Sequence, residues 1–374
     1  MMHGHGGNIF RAALSLGCPP RDICDMSSNI NPLGPVPGLL EHLAEHVADA
    51  VSLPDVDAEE ARRAFGRCRG LRPENLAAGN GTTELIYLIP RALGIRKALV
   101  FTPTYADYAD ALRQQGARVR TLTGERSRSF VPDPGRAAEA AQDADAVFVC
   151  NPSNPTGVLI PPGDLEDLAV RAPRTLFVVD ESYLGFAEPE QAASLANRNL
   201  PNVLTLISLS KIFGIPGLRA GFCHGPEKAA QKLRDLSPPW SVNTLAQEAI
   251  LFLSSRHREA ELHEQRTRAF LDREREAFSR GLAGRADIRL YPGRTSFVLG
   301  ELCCGTGAAL CAHLLQKKIL IRDCANFSGL TESFFRVSLK SPAQNALVRD
   351  HILAWLEERK GAQSIPGHPP RQRP

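Results

Sequence analysis

The feature that most constrains this chain is a series of apolar, β-branched runs that each end in a polar cluster. AVFVCNP (Ala146 to Pro152), TLFVVDESY (Thr175 to Tyr183) and NVLTLISLS (Asn202 to Ser210) are the clearest. LVFTP (Leu99 to Pro103) and ARVRTL (Ala117 to Leu122) belong to the same series. Helical patterns separate them, over Asp107 to Gln115 and Gly163 to Arg171. Continuous apolar strands alternating with helices predict a mainly parallel sheet covered on both faces. Ligands of such sheets bind at the carboxyl ends of the strands. Tyr105, Asn154, Asp180 and Lys211 all fall there.

Other segments complete the expected organisation. Residues 1–40 read as irregular, with a helix from Pro37 to Val51 and a turn and helix over Asn80 to Leu93. A charged pattern without Gly or Pro from Asn243 to Ser279 predicts one long helix. Beyond it, DIRLYPG, SFVLGEL, KILIRDC and FFRVSLK read as strands, with helices over Gly307 to Lys318 and Pro342 to Lys360, which gives a small α+β domain. The expected division is an N-terminal arm (1–40) that joins the small domain and the active site, a large domain (41–275), a small C-terminal domain (276–361) and a Pro-rich, disordered tail (362–374).

Composition narrows the function. A chain of 374 residues that is 43% hydrophobic can bury a sizeable core. Lys and Arg number 44 and Asp and Glu 41, a net charge of +3. That balance argues against nucleic-acid or membrane-surface partners. No apolar run reaches the roughly 20 residues of a membrane helix, and no signal peptide is visible. The nine cysteines form no CxxC, so free thiols in a reducing cytoplasm are expected rather than zinc or disulfides. His3 and His5 lack further ligands nearby, and no metal site is expected.

The chemistry concentrates in ISLSKIFGIPGLRAG (Ile207 to Gly221). Lys211 follows an apolar strand in a turn. A lysine near a low-dielectric sheet has a depressed pKa, and its neutral amine can attack a carbonyl to form a Schiff base. Ser208 and Arg219 offer a hydroxyl and a guanidinium fork to a phosphate. AGNGTTE (Ala78 to Glu84) is a glycine-rich turn that opens a helix, an anion site through its backbone N–H groups. Asp180, at a strand end, is placed to hold a pyridinium nitrogen protonated.

Taken in order, GNGTTE, TPTYADY, NPSNPTG, DESY, SLSK…GLR and FFRV resemble the motifs of the fold-type I enzymes that use pyridoxal 5'-phosphate (PLP), the aspartate aminotransferase superfamily. The likeness runs from about residue 26 to 340. It implies an α/β fold with a large domain of mainly parallel sheet plus a small α+β domain. It implies that Lys211 carries PLP and that Asp180 pairs with the pyridine nitrogen. Tyr183 and Asn154 would bond the phenolic oxygen, and Tyr105 would stack on the ring. Gly81, Thr82, Ser208 and Arg219 would hold the cofactor phosphate, and Arg336 the substrate carboxylate.

Within the superfamily, SSNINPLG (Ser27 to Gly34) and the Lys211 motif resemble the histidinol-phosphate aminotransferases. HGGN at the N-terminus, PPWSVNTLAQ (Pro238 to Gln247), ILIRDCANFSGL (Ile319 to Leu330) and FFRVSLKSPAQN resemble the L-threonine-O-3-phosphate decarboxylases of cobalamin biosynthesis. That branch implies a PLP-dependent carboxy-lyase making (R)-1-amino-2-propanol O-2-phosphate. A histidinol-phosphate-type aminotransferase with the same PLP site is the alternative. On the decarboxylase reading the substrate phosphate would be held by Arg322, by His5 with the Gly6 and Gly7 backbone, and by the Asn31 region. The resemblance also implies a cytoplasmic homodimer. One departure stands out: relatives carry RYPD, whose tyrosine reaches the neighbouring subunit, whereas SLPD here places Leu53 at that position. A leucine has no hydrogen to donate.

Overall fold

A computed structural model of the chain describes residues 6–189 and 193–363. Its centre is a seven-stranded sheet. In spatial order the strands are β2 (Leu76–Asn80), β8 (Ala220–His224), β7 (Val203–Ser208), β6 (Leu176–Asp180), β5 (Ala146–Cys150), β3 (Lys97–Thr102) and β4 (Arg118–Thr123). The five strands from β7 to β4 are parallel, and only β8 runs against its neighbours. Strand alternation explains why the sheet is covered twice. Val100, Phe148 and Val178 pack into one core, while Leu99, Phe101, Val147, Val149, Phe177 and Val179 pack into another on the opposite face.

A second sheet has four antiparallel strands, in the order β12 (Arg322–Asp323), β13 (Phe334–Ser338), β10 (Phe297–Leu302) and β9 (Ile288–Tyr291). Beside it, β1 (Cys24–Asp25) pairs in parallel with β11 (Ile319–Leu320). This pairing ties the N-terminal segment to the C-terminal strands. The helices are α1 (Ile9–Leu16), α2 (Leu39–Glu45), α3 (Glu59–Arg69), α4 (Gly81–Ala92), α5 (Asp107–Gln114), α6 (Pro134–Gln142), α7 (Pro162–Arg171), α8 (Glu227–Leu236), α9 (Thr244–Ser255), α10 (His257–Leu282), α11 (Gly307–Gln316) and α12 (Pro342–Gln363). No helix among the described residues is long and apolar enough to cross a membrane.

Four expectations need correction, the first being the helix over Pro37 to Val51, of which only Leu39–Glu45 is α-helical, with a 3₁₀ segment at Val47–Val51 beyond His46. Residues 1–40 are not wholly irregular: α1 forms there, with Asn8 accepting from the Arg11 amide as its N-cap and Gly17 closing it in the left-handed conformation. The single helix from Asn243 to Ser279 is two, broken at Arg256, whose φ of −110° and ψ of 39° leave the helical region. The residues on either side differ in kind, since α9 buries Ala246, Ala249, Ile250 and Leu253 while α10 is mostly charged outside its buried stripe. KILIRDC is likewise divided between two sheets, with Ile319–Leu320 on β1 and Arg322–Asp323 on β13. Strands β2 and β8 were not anticipated, because LAAGN and AGFCH are glycine-containing and poor in β-branched residues. Of the expected tail, residues 364–374 lie outside the described residues.

Candidate active site

The carboxyl ends of β3, β5, β6 and β7 lie along one edge of the large sheet, and the second sheet faces them. Between them is a cavity of about 700 Å³ lined by Lys211, Asp180, Tyr183, Asn154, Arg336 and Arg322, among others. Because β2 runs in the same sense as β7, its carboxyl end meets the same edge. The first turn of α4 therefore brings Thr82 and Thr83 to the cavity.

Asp180 ends β6 and is buried. Its Oδ2 accepts from Tyr108 Oη at 2.6 Å, and its Oδ1 from the Ser182 amide at 2.9 Å. Burial pushes its carboxyl pKa up, and the hydrogen bonds from Ser182 and Tyr108 oppose that. A cation brought against this carboxylate would return it fully to the charged form. Lys211 sits one turn beyond β7. Burial, with Arg219 and Arg336 nearby, brings its pKa down to about 8, while Asp180 pulls the other way. About a tenth of the amine is therefore neutral and nucleophilic at pH 7, far more than for an ordinary lysine.

Tyr183 accepts from Asn29 Nδ2 at 3.2 Å, and Asn29 Oδ1 in turn accepts from Ser338 Oγ at 2.7 Å. Burial raises the Tyr183 pKa to about 12 against the lowering effect of Arg336 and Asn29, so the phenol stays a donor. Tyr105 packs edge-on to Tyr108, with ring centroids 5.7 Å apart. Burial raises its pKa too.

Arg336, on β13, is 4% exposed. One of its terminal nitrogens donates to Asn154 Oδ1, the other to the Ser27 carbonyl at 2.8 Å. Its guanidinium stands over the Phe297 ring, 5.1 Å from the centroid. Its Nε is buried with no hydrogen-bond partner. Arg322 is the direct cross-strand partner of Arg336, so two guanidinium groups face the same cavity. Arg322 is steadied by Asn326 Oδ1 at 2.7 Å and by the Phe327 ring. Gly6 lies against both arginines. A Cβ there would meet the Ser27 carbonyl at 2.9 Å, Arg336 Nη2 at 3.4 Å and Arg322 Cδ at 3.6 Å. Gly7, at φ +82°, donates its amide to Ser27 Oγ at 2.8 Å. His5 lies outside the described residues.

The remaining polar groups gather at the N-terminus of α4. Gly81 has φ +74°, and a Cβ on it would fall 2.5 Å from Arg219 Nη2. Only glycine lets that guanidinium reach the helix start. Arg219 itself has φ +61°, a strained backbone for a side chain of this kind. Thr82 Oγ1 and Ser182 Oγ are 3.4 Å apart. Ser208 opens into an adjoining cavity of about 390 Å³ that shares Ser182 with the first.

Asn31 is the residue misplaced by sequence reasoning. Its Nδ2 donates to the Ile212 carbonyl at 2.6 Å and to Thr267 Oγ1 at 2.8 Å, away from the cavity. Asn29, two residues earlier in the same stretch, lines the cavity instead. Tyr108 was missed altogether. Its signal was present in TPTYADY, where it follows Tyr105 by three residues and falls in the first turn of α5.

The sequence profile described as "Aminotransferase class I and II" matches residues 21–352. The chain belongs to that family. Its cofactor is PLP. A threonine-phosphate decarboxylase of Salmonella typhimurium is 33% identical over 94% of this chain and 95% of its own length. A histidinol-phosphate aminotransferase of Methanosarcina barkeri is 31% identical, covering 92% of this chain and 91% of its own. Among solved structures, the L-threonine-O-3-phosphate decarboxylase of Porphyromonas gingivalis matches with a TM-score of 0.79 at 28% identity, over 89% of this chain and 99% of that one.

The residues of this aminotransferase-family cavity fit PLP on their own chemistry. A buried amine of depressed pKa suits an aldehyde. A buried carboxylate with room for a cation suits a pyridinium nitrogen. A helix N-terminus with Arg219 against Gly81 suits a phosphate. The unpartnered Nε of Arg336 suits a further anion.

Proposed function

We propose that this enzyme decarboxylates L-threonine O-3-phosphate to (R)-1-amino-2-propanol O-2-phosphate, a step of cobalamin biosynthesis. The observation that carries the reading is the cross-strand pair Arg322 and Arg336, with Gly6 seated against both. Two guanidinium groups in one cavity match a substrate with two anionic ends, a carboxylate and a phosphate. The likeness to threonine-phosphate decarboxylases over nearly the whole chain supports it.

In this reading Lys211 would carry PLP, Asp180 would pair with its ring nitrogen, and Tyr183 and Asn154 would bond its phenolic oxygen. Tyr105 would stack on the ring, and Gly81, Thr82, Ser208 and Arg219 would hold its phosphate. When bound, PLP supplies an electron sink conjugated to the substrate's Cα. The protein's task is to choose which bond at Cα is broken. Arg336 grips the carboxylate, and Arg322 with the Gly6 and Gly7 backbone anchors the phosphate at the far end. Two fixed ends would set the rotation about Cα and so decide which of its bonds is broken. The Cα–carboxylate bond breaks, CO₂ leaves, and its bonding pair stays on Cα. Lys211, which lines the cavity, would be the group placed to deliver a proton to that carbon from its ammonium form. Tyr108 and Ser182 hold Asp180 in place throughout.

A histidinol-phosphate-type aminotransferase remains the second reading, favoured by relatives of that name at comparable identity. The same proposal includes a cytoplasmic homodimer. Its support is a run of exposed apolar side chains, Leu40, Val47, Val51, Leu53 and Val56, with Trp240 bonded to the Val56 carbonyl. Leu53 is 72% exposed, which suits contact with a second copy but brings no donor to its cofactor. The deciding experiment supplies O-phospho-L-threonine and measures CO₂, then supplies histidinol phosphate with 2-oxoglutarate and measures glutamate. The proposal predicts the first product and not the second.

A further inference from the structure

Away from the cavity, α2 and α9 bring together side chains that the mechanism does not use. His42 lies on α2, and His46 follows four residues later as its C-terminal cap. This spacing puts both imidazoles on one face of the turn. Glu248 comes from the facing helix α9. Glu248 Oε2 is 3.2 Å from His42 Nε2 and 3.9 Å from His46 Nδ1. All three candidate ligand atoms lie within 4.8 Å of one another.

Two neutral or cationic rings converge on a single carboxylate oxygen. Their centroids are 4.3 Å apart. The side chains of His42 and Glu248 are 24% and 22% exposed, and the His42 ring packs on Phe252 at 5.1 Å, so the rings are partly fixed. Asp49 Oδ2 stands 2.8 Å from His46 Nδ1, a contact that the ring would give up on binding through that nitrogen. A cavity of about 640 Å³ borders His42 alone of the three.

We propose that His42, His46 and Glu248 form a site for a zinc-class divalent cation that clamps α2 to α9. Two imidazoles and a carboxylate are a ligand set that zinc takes, at roughly 2.0–2.2 Å from each donor. Tetrahedral ligands at that radius are about 3.3 Å apart. The observed 3.2 and 3.9 Å lie near that spacing, and binding requires side-chain rotations that also free His46 Nδ1 from Asp49. Sequence reading missed the site because its third ligand lies 202 residues from His46 (248 − 46).

The test uses the full-length holoenzyme after chelation and dialysis. Zn²⁺ is titrated by calorimetry, and Co²⁺ is added separately to read the visible absorption of a tetrahedral ion. The wild type is expected to bind one more equivalent of Zn²⁺ than His42→Gln/Glu248→Gln, and to show a Co²⁺ band that this variant lacks. His46→Asn alone weakens binding by about tenfold or more. Lysine-bound PLP absorbance and CO₂ release stay unchanged in all three proteins. Equal Zn²⁺ stoichiometry in wild type and double variant, with PLP absorbance intact in both, overturns the proposal.

Discussion

The two halves of the cavity are built by different means. Asp180 ends its strand, and Lys211, Asn154 and Tyr105 stand just beyond the ends of neighbouring strands of the same sheet. Arg322, Arg336, Asn29 and Gly6 are assembled from opposite ends of the chain, through the pairing of β1 with β11 and of β12 with β13. The first half is a local consequence of the parallel sheet. The second exists only once long-range pairings have formed. The lesson is that such an enzyme can keep its cofactor chemistry on rigid strand ends. Its substrate choice then depends on a second, separately assembled wall.

That contrast predicts that variants separate into two kinds. Lys211→Ala should have the largest effect, lowering turnover by at least about 10⁴-fold and abolishing the absorbance of lysine-bound PLP. Survival of that band would break the assignment of Lys211. Arg336→Lys should lower kcat/KM about 100-fold, because a point charge cannot reproduce a two-pronged grip on a carboxylate. The PLP band should persist. Arg322→Ala should raise KM for O-phosphothreonine by roughly 10-fold to 100-fold, the value of one or two charge-assisted hydrogen bonds. It should leave the much weaker reaction of unphosphorylated threonine nearly unchanged. An equal loss on both substrates would sever Arg322 from the phosphate.

A pH series sharpens the same division. The Lys211 amine is held down to about 8 by burial and by Arg219 and Arg336. The neutral amine is the reactive form, so its fraction rises with pH and levels off above that value. PLP capture by the apoenzyme should therefore speed up about tenfold from pH 6 to 7 and flatten above about 8. Arg336→Lys should shift that profile only slightly. A flat profile across this range would contradict the depressed value. Tyr108→Phe should have the smallest effect, about tenfold or less in kcat, since it removes a single hydrogen bond to Asp180.

Legibility in the sequence follows the same line. The parallel sheet and the residues at its strand ends could be read because each strand is a continuous apolar run and each motif sits at its end. Tyr108 escaped because its role depends on Asp180, 72 residues away. Asn31 was preferred to Asn29 because nothing in SSNINPLG says which asparagine turns inward. That choice is made by Ile212 and Thr267, which capture Asn31, and by Ser338 and Tyr183, which hold Asn29. The break between α9 and α10 was invisible because no Gly or Pro marks it. The antiparallel strands β2 and β8 were hidden by their glycines: Gly79 and Gly221 are paired in register, and a Cβ on Gly221 would lie 2.7 Å from the Thr82 amide.

The central claim is that the two-arginine wall directs the cofactor toward loss of CO₂. It is tested most directly by following the α-carboxyl label of O-phospho-L-threonine in the presence and absence of 2-oxoglutarate. The account predicts labelled CO₂ and one equivalent of 1-amino-2-propanol O-phosphate, at the same rate with or without the oxo acid. Retention of the label in a keto-acid product, formed only when 2-oxoglutarate is present, would contradict it and assign the chain to transamination.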